Sequence, residues 1–298
     1  MTEAADRAIV EPVDGSGPRD AQEGAWYLYG VVRAPSRAPG ADGRSGETGT
    51  EAANGSLTVA GTPVRLLEHR ELAAVVRPVS RQDFTEDSLQ ARLRDPAALE
   101  ALARDHNAVI AEIHREQAIL PAKFGSVYAS LDDLRTALDQ EYDRLSSQLK
   151  RVRGCDEWAV HVYADRSIVE RHVATDHASI RQLREELAAA RPGRAFFLQR
   201  KLDTALTAAI DQTLIELARA AYDQLAALAL AAQATPSTHR GRGGKGEIEI
   251  LKASFLVPRP DTEAFIHAVD SFAAEHQGVR SEYSGPWPPY SFAAQERS

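Results

Sequence analysis

Nine histidines, one cysteine and many carboxylates are the residues of this chain that could do chemistry. His106 and His114 lie eight residues apart on roughly one side of a helix, with Glu112 and Glu116 nearby. A metal there would need further ligands from elsewhere. The plainer expectation is that His106 is a partly buried helix residue bonded to backbone or water, with His114 near the surface. No HExxH occurs, and a lone Cys155 excludes both an intramolecular disulfide and a cysteine zinc cluster. Cys155 sits between Gly154 and Asp156. The neighbouring carboxylate raises a thiol pKa, the wrong direction for a nucleophile. Gly241-Arg242-Gly243-Gly244-Lys245-Gly246 has the look of a phosphate loop. It lacks the Ser or Thr after the lysine, and a strand rather than a helix is expected behind it, so it reads as a solvated loop. No GxSxG elbow is present. No catalytic residue, cofactor or metal is therefore assigned.

The chain's end is different. Trp287, Pro288, Pro289, Tyr290 and Phe292 alternate large aromatics with prolines after the last expected strand. Prolines favour an extended course there. The aromatics either fold back as a core plug or present a partner-binding surface, and both roles can coexist. A largely buried Trp287 and a more exposed Tyr290 are expected.

The elements that position these residues follow from periodicity. The 298 residues are 43% hydrophobic, enough for a sizeable core, and the formal charge of −8 argues against nucleic acid or an anionic membrane as partner. No apolar leader and no run of about 18 apolar residues is seen, so a cytoplasmic protein is expected. Residues 1–24 read as a disordered tail, and 34–62 as a flexible insertion poor in apolar anchors. Trp26–Val32, Val64–Leu67 and Leu72–Val79 read as strands. Asp95-Pro96 opens a helix, Lys123–Tyr128 reads as a strand, and Ser130 caps the next helix. Glu157–Ala164 alternates as a strand, with Trp158, Val160 and Val162 on one face and His161 and Tyr163 on the other. Two helical stretches follow, over about 166–190 and 196–232, then a flexible loop over 234–246. Glu247–Val257 is a strand whose apolar phase shifts, which calls for a bulge near Leu251. A helix capped by Asp261 and a strand from Val279 complete the chain.

The expected fold is α+β in two domains. A smaller N-terminal α+β domain covers 25–118. The stretch 119–298 is expected to form a ferredoxin-like βαββαβ domain with a helical insertion at 166–233.

Four blocks carry a resemblance. They are Trp26–Val32; His106 through Leu120-Pro121-Ala122-Lys123-Phe124-Gly125-Ser126-Val127-Tyr128; Glu157–Tyr163; and Gly285–Phe292. In this order they resemble the gas vesicle protein GvpL/GvpF family. The resemblance implies a non-enzymatic accessory protein of gas vesicles, acting in shell assembly. It also implies partners among the hydrophobic shell protein and other accessory proteins, and association with the vesicle as a possible minor component. It agrees with a ferredoxin-like C-terminal domain. The competing class is an enzyme or small-ligand-binding protein on the same scaffold. A deep pocket with converging polar groups would favour that class, and exposed aromatics without one the first.

Overall fold

The structure is a computed structural model that describes residues 24–35, 56–84, 95–235 and 246–293. The expected tail up to residue 23, all but the ends of the 34–62 insertion, and nearly all of the 234–246 loop lie outside the described residues. The chain divides into two compact units. One holds the described residues up to Arg153 together with those from Pro288; the other is Gly154–Trp287.

The first unit is built on strands β1 (Gly24–Arg33), β2 (Ser56–Val59), β3 (Thr62–His69), β4 (Leu72–Ser80), β5 (Ile119–Pro121) and β6 (Val127–Tyr128). Its helices are α1 (Pro96–Glu116), α2 (Leu131–Gln140) and α3 (Tyr142–Val152). The antiparallel sheet runs β2-β3-β4-β1-β5, with β6 also paired to β1. Two sequence readings are corrected here. Ser56–Val59, placed in the flexible insertion, is a strand paired to β3 through a two-residue turn with both φ positive, Ala60 at 49° and Gly61 at 80°. Its Ser-Leu-Thr-Val alternation suits a strand, and the turn twist matches the hairpin. Lys123–Tyr128 is not one strand. Ile119–Pro121 pairs with Gly30–Val32 and Val127–Tyr128 with Trp26–Tyr27, around an intervening turn. Both therefore belong to the first sheet, and the compact unit extends past the expected boundary at 118/119 to Arg153.

The helix starts were legible. Asp95 accepts from the Ala97 and Ala98 amides, and the Ser130 hydroxyl accepts from the Asp133 amide. The stretch read as one amphipathic helix after Ser130 breaks at Glu141 into α2 and α3.

Strand β1 carries a bulge. Leu28 faces Val76 and Gly30 faces Val75, leaving Tyr29 as the extra residue. A bulge of this kind turns both of its residues to one side of the sheet. Only glycine fits beside Tyr29: a Cβ on Gly30 would stand 2.6 Å from the Leu120 carbonyl and 2.9 Å from Ile119. Tyr27, Tyr29, Val32, Ala73 and Val75 thereby pack with Val109, Ile110 and Ile113 of α1.

The second unit contains β7 (Cys155–Asp165), α4 (Arg166–Asp176), α5 (Ala178–Ala188), α6 (Pro192–Ala226), β8 (Ala231–Ala234), β9 (Glu247–Pro258), α7 (Thr262–Glu275) and β10 (Val279–Trp287). Its antiparallel sheet has the order β10-β7-β9-β8. Trp158, Val160 and Val162 of β7 join Ala253, Phe255 and Val257 of β9 and Phe265, Val269 and Phe272 of α7 in one core. The expected bulge is present at Ile250, since Val162 pairs with Leu251 and Tyr163 with Glu249. Three of the four expected strands are present as β7, β9 and β10; the expected first strand, Lys123–Tyr128, is not in this sheet. Its first strand is β7, and the segment over 231–234, read as the end of a long helix, is β8. Alanine favours helix locally, but pairing of Ala231–Ala234 with Ala253–Leu256 overrides that preference.

Gly30→Ala should lower stability by about 1–3 kcal/mol, as overpacking does. Urea unfolding of the intact chain measures it, and an unchanged midpoint would contradict the packing described for the bulge.

Candidate functional site

Helix α1 delivers Asp105 and His106 to the sheet face that carries Tyr27 and Tyr29. The Tyr27 hydroxyl lies 2.9 Å from His106 Nδ1. His106 also bonds the Ala122 backbone. With that ring nitrogen donating to a carbonyl, Nδ1 accepts from Tyr27. The Gly125 amide donates to the Tyr27 oxygen at 3.3 Å. Beside this chain, the Tyr29 hydroxyl donates to Asp105 Oδ2 at 2.9 Å, and the Thr62 hydroxyl donates to Asp105 Oδ1. Arg77 Nη1 stands 3.2 Å from Asp105 Oδ2. The rings interlock: Tyr27 and Tyr29 meet edge-on at 5.0 Å, His106 stacks on Tyr29 at 5.7 Å, and Phe124 meets His106 edge-on at 5.5 Å.

Burial sets the protonation states. It holds His106 below its ordinary pKa, against the opposing pull of the Ala122 bond and Asp105. It raises both tyrosines, most strongly Tyr29, against the lowering influence of Arg77. The cluster is thus a neutral imidazole and two phenols, each polar atom bonded. It holds three segments of chain together and offers no free base or nucleophile.

The other sequence candidates fall as follows. His114 is buried, not near the surface. Among the described residues, no group of three His, Cys, Asp or Glu is arranged to hold a metal. Cys155 is buried, and its thiol is pushed up first by burial and then by Asp156. Gly241–Lys245 lie outside the described residues; Gly246 leads into strand β9. A cavity of about 290 Å³ in the first unit has Leu72 and Leu149 in its wall, with Arg33, Glu71, Glu116, Lys150 and Arg153 around it. Arg33 bonds Glu71 at 3.1 Å, and both are well exposed.

The C-terminal aromatics reverse the expectation. Trp287 ends β10 and is 48% exposed, with Nε1 donating to the Ser284 hydroxyl at 3.2 Å. Tyr283 on the same strand is also exposed. Pro288 and Pro289 are buried, and the short helix α8 (Tyr290–Ala293) packs against β5. Phe292 is buried, and the half-buried Tyr290 donates its hydroxyl to Asn107 Oδ1 at 2.9 Å. The physical reason is the break at Pro288: residues before it follow the edge of the second sheet, while those after it fold into the first unit. Sequence reasoning missed Thr62, Arg77 and Asp105. The available signal was Tyr27-x-Tyr29 on one strand face, which commits two phenols to a core that must supply acceptors.

The model of the gas vesicle synthesis protein GvpL/GvpF family matches residues 25–294. The chain belongs to this family. Gas vesicle protein L of Streptomyces sp. (strain CB03234) is 33% identical over 240 residues, 80% of this chain and 86% of that protein. Gas vesicle protein F of the same strain is 28% identical over 266 residues, covering 89% and 98%. The crystal structure of the gas vesicle protein GvpF from Anabaena sp. PCC7120 superposes with a TM-score of 0.61 at 16% identity, covering 93% of this chain and 100% of that one, a likeness of fold. GvpL/GvpF membership carries a role in gas vesicle formation. Two of the four family-like blocks supply the Tyr27–His106 cluster. The third lies in β7 and the fourth ends β10 and forms α8. Among the described residues, no helix is long and apolar enough to cross a membrane.

The sign of the His106 pH dependence follows from its depressed pKa. The unfolded chain takes up a proton at an ordinary pKa near 6.5 that the folded chain refuses until lower pH. Its contribution to stability is complete above that value and is lost as pH falls toward the folded pKa. The parent should therefore lose stability from pH 7 to 5 more steeply than His106→Gln, by at most about 1.4 kcal/mol per pH unit. Urea midpoints across that range test this, and parallel curves would contradict it.

Proposed function

We propose that this protein is a cytoplasmic accessory protein that binds the hydrophobic gas vesicle shell protein, together with other accessory proteins, during shell assembly. The single observation that carries the reading is the family match over residues 25–294. Exposed Trp287 on edge strand β10 is the proposed contact, in place of the whole 287–292 segment. Pro288, Pro289 and Phe292 are buried, and Tyr290 is half-buried. A fully bonded Tyr–His–Asp cluster and a cavity with exposed charges such as Arg33 and Glu71 at its mouth favour protein binding over catalysis. The second unit is read as ferredoxin-like. Its strand order β10-β7-β9-β8 is the 4-1-3-2 order of a βαββαβ chain, with α4–α6 as an enlarged first crossover.

The purified chain should retain the shell subunit in a pull-down at micromolar concentration, with both proteins folded. Failure to retain it counts against the proposal. Trp287→Ala should leave the urea midpoint nearly unchanged while weakening that binding by about 2 kcal/mol. Phe292→Ala should instead cost about 3–5 kcal/mol of stability. Unaltered binding by Trp287→Ala would move the contact away from β10.

A further inference from the structure

Helix α6 is the longest element, and it buries only part of its circumference. Leu198, Leu202, Ile210, Leu214, Ala221 and Leu225 are buried. Phe197 and Ile215 are 72% and 57% exposed on the solvent side. Phe196, next to Phe197, is also 66% exposed. Between Phe197 and Ile215, Lys201, Thr204 and Ala208 are exposed and Asp211 is half-buried.

These six residues lie along one line of the exposed helix face. Phe197, Lys201, Thr204, Ala208, Asp211 and Ile215 are separated by four, three, four, three and four positions, the interval at which a helix presents a seam to a partner helix. The seam also reads as its own complement. An antiparallel copy centred on Leu206 sets Phe197 against Ile215, Lys201 against Asp211, and Thr204 against Ala208. Each pair then occurs twice about a two-fold axis, which is the form an isologous contact takes. Apolar residues meet at the two ends, small residues at the middle, and opposite charges between. A parallel alignment of the seam would instead set Lys201 against Lys201 and Asp211 against Asp211. The small Thr204 and Ala208 let two helices approach to about 8–10 Å.

We infer that the exposed face of α6 is an antiparallel docking surface for a second copy of this chain. The occupant is chosen by this charge and size complementarity. The seam spans roughly 27 Å of helix, at about 1.5 Å per residue. A single helix pair of that length falls at the low end of specific interfaces, so the association is expected at micromolar to tens of micromolar concentration. It requires neither the shell protein nor the β10 surface.

Sedimentation velocity of the full chain from about 1 to 200 µM tests it. The expected result is a concentration-dependent dimer. Lys201→Glu places carboxylates opposite Asp211, and Asp211→Lys places ammonium groups opposite Lys201, so each variant alone should be at least tenfold weaker. Mixed with each other, the two variants should associate again, because each supplies the charge the other lacks. Phe197→Ser, at an exposed position that leaves the fold intact, should also weaken the dimer. Circular dichroism and urea midpoints separate a folding defect in Asp211→Lys from loss of the contact; Lys201→Glu and Phe197→Ser carry the test if that variant does not fold. A monomer throughout the range overturns the inference. So does a dimer that Lys201→Glu and Phe197→Ser leave unchanged.

Discussion

The first unit depends on getting two tyrosines and a histidine out of water together, beside an aspartate that is only partly buried. Tyr27 and Tyr29 are fully buried, and His106 nearly so. Each would cost free energy if any of its polar atoms lost its partner, because a buried unsatisfied group forfeits about 1–3 kcal/mol. Their mutual bonds remove that cost only in one arrangement of β1, α1 and the turn through Gly125. The Tyr29 bulge, the glycine at 30 and the splitting of the following segment into β5 and β6 all serve that arrangement. Arg77 completes it by meeting Asp105, so the carboxylate is paired rather than stranded.

The second unit solves its packing differently. Its core is aromatic and aliphatic, with Phe255, Phe265 and Phe272 at the centre and polar groups held to the opposite sheet face. There His161 meets Glu249 at 2.6 Å, and Arg280 lies 4.3 Å over the Tyr163 ring while pairing with Glu247. A sheet face furnished in this way is satisfied in water. In this unit, large apolar side chains remain exposed at Phe196, Phe197 and Ile215 of α6, at Leu228 and Leu230 after it, and at Tyr283 and Trp287 of β10.

Much of this was legible in the residues. Helix starts at Asp95 and Ser130 were marked by capping chemistry, and the β7 alternation assigned its faces correctly. The phase slip in Glu247–Val257 announced a bulge that sits at Ile250. What failed were two short strands. Ser56–Val59 has a short strand-like alternation overlooked within a Gly-, Ala- and Ser-rich stretch, while Ala231–Ala234 has the composition of helix and becomes a strand because β9 offers an open edge. Those omissions displaced the domain boundary and the assignment of strands to sheets. At the C-terminus, composition did not distinguish the inside of the segment from its outside. Pro288 changes which unit the chain follows, and no local pattern records that. The family-like blocks pointed to gas vesicle formation, and the family match agrees.

The cluster's role as the clamp of the first unit is tested most directly by a double-mutant cycle on Tyr29→Phe and Asp105→Asn, read by equilibrium urea unfolding. Residues that share a buried network do not act independently. A coupling free energy of at least about 1 kcal/mol is the predicted result. Strict additivity of the two substitutions would mean that α1 is held by apolar packing alone, and would contradict the account.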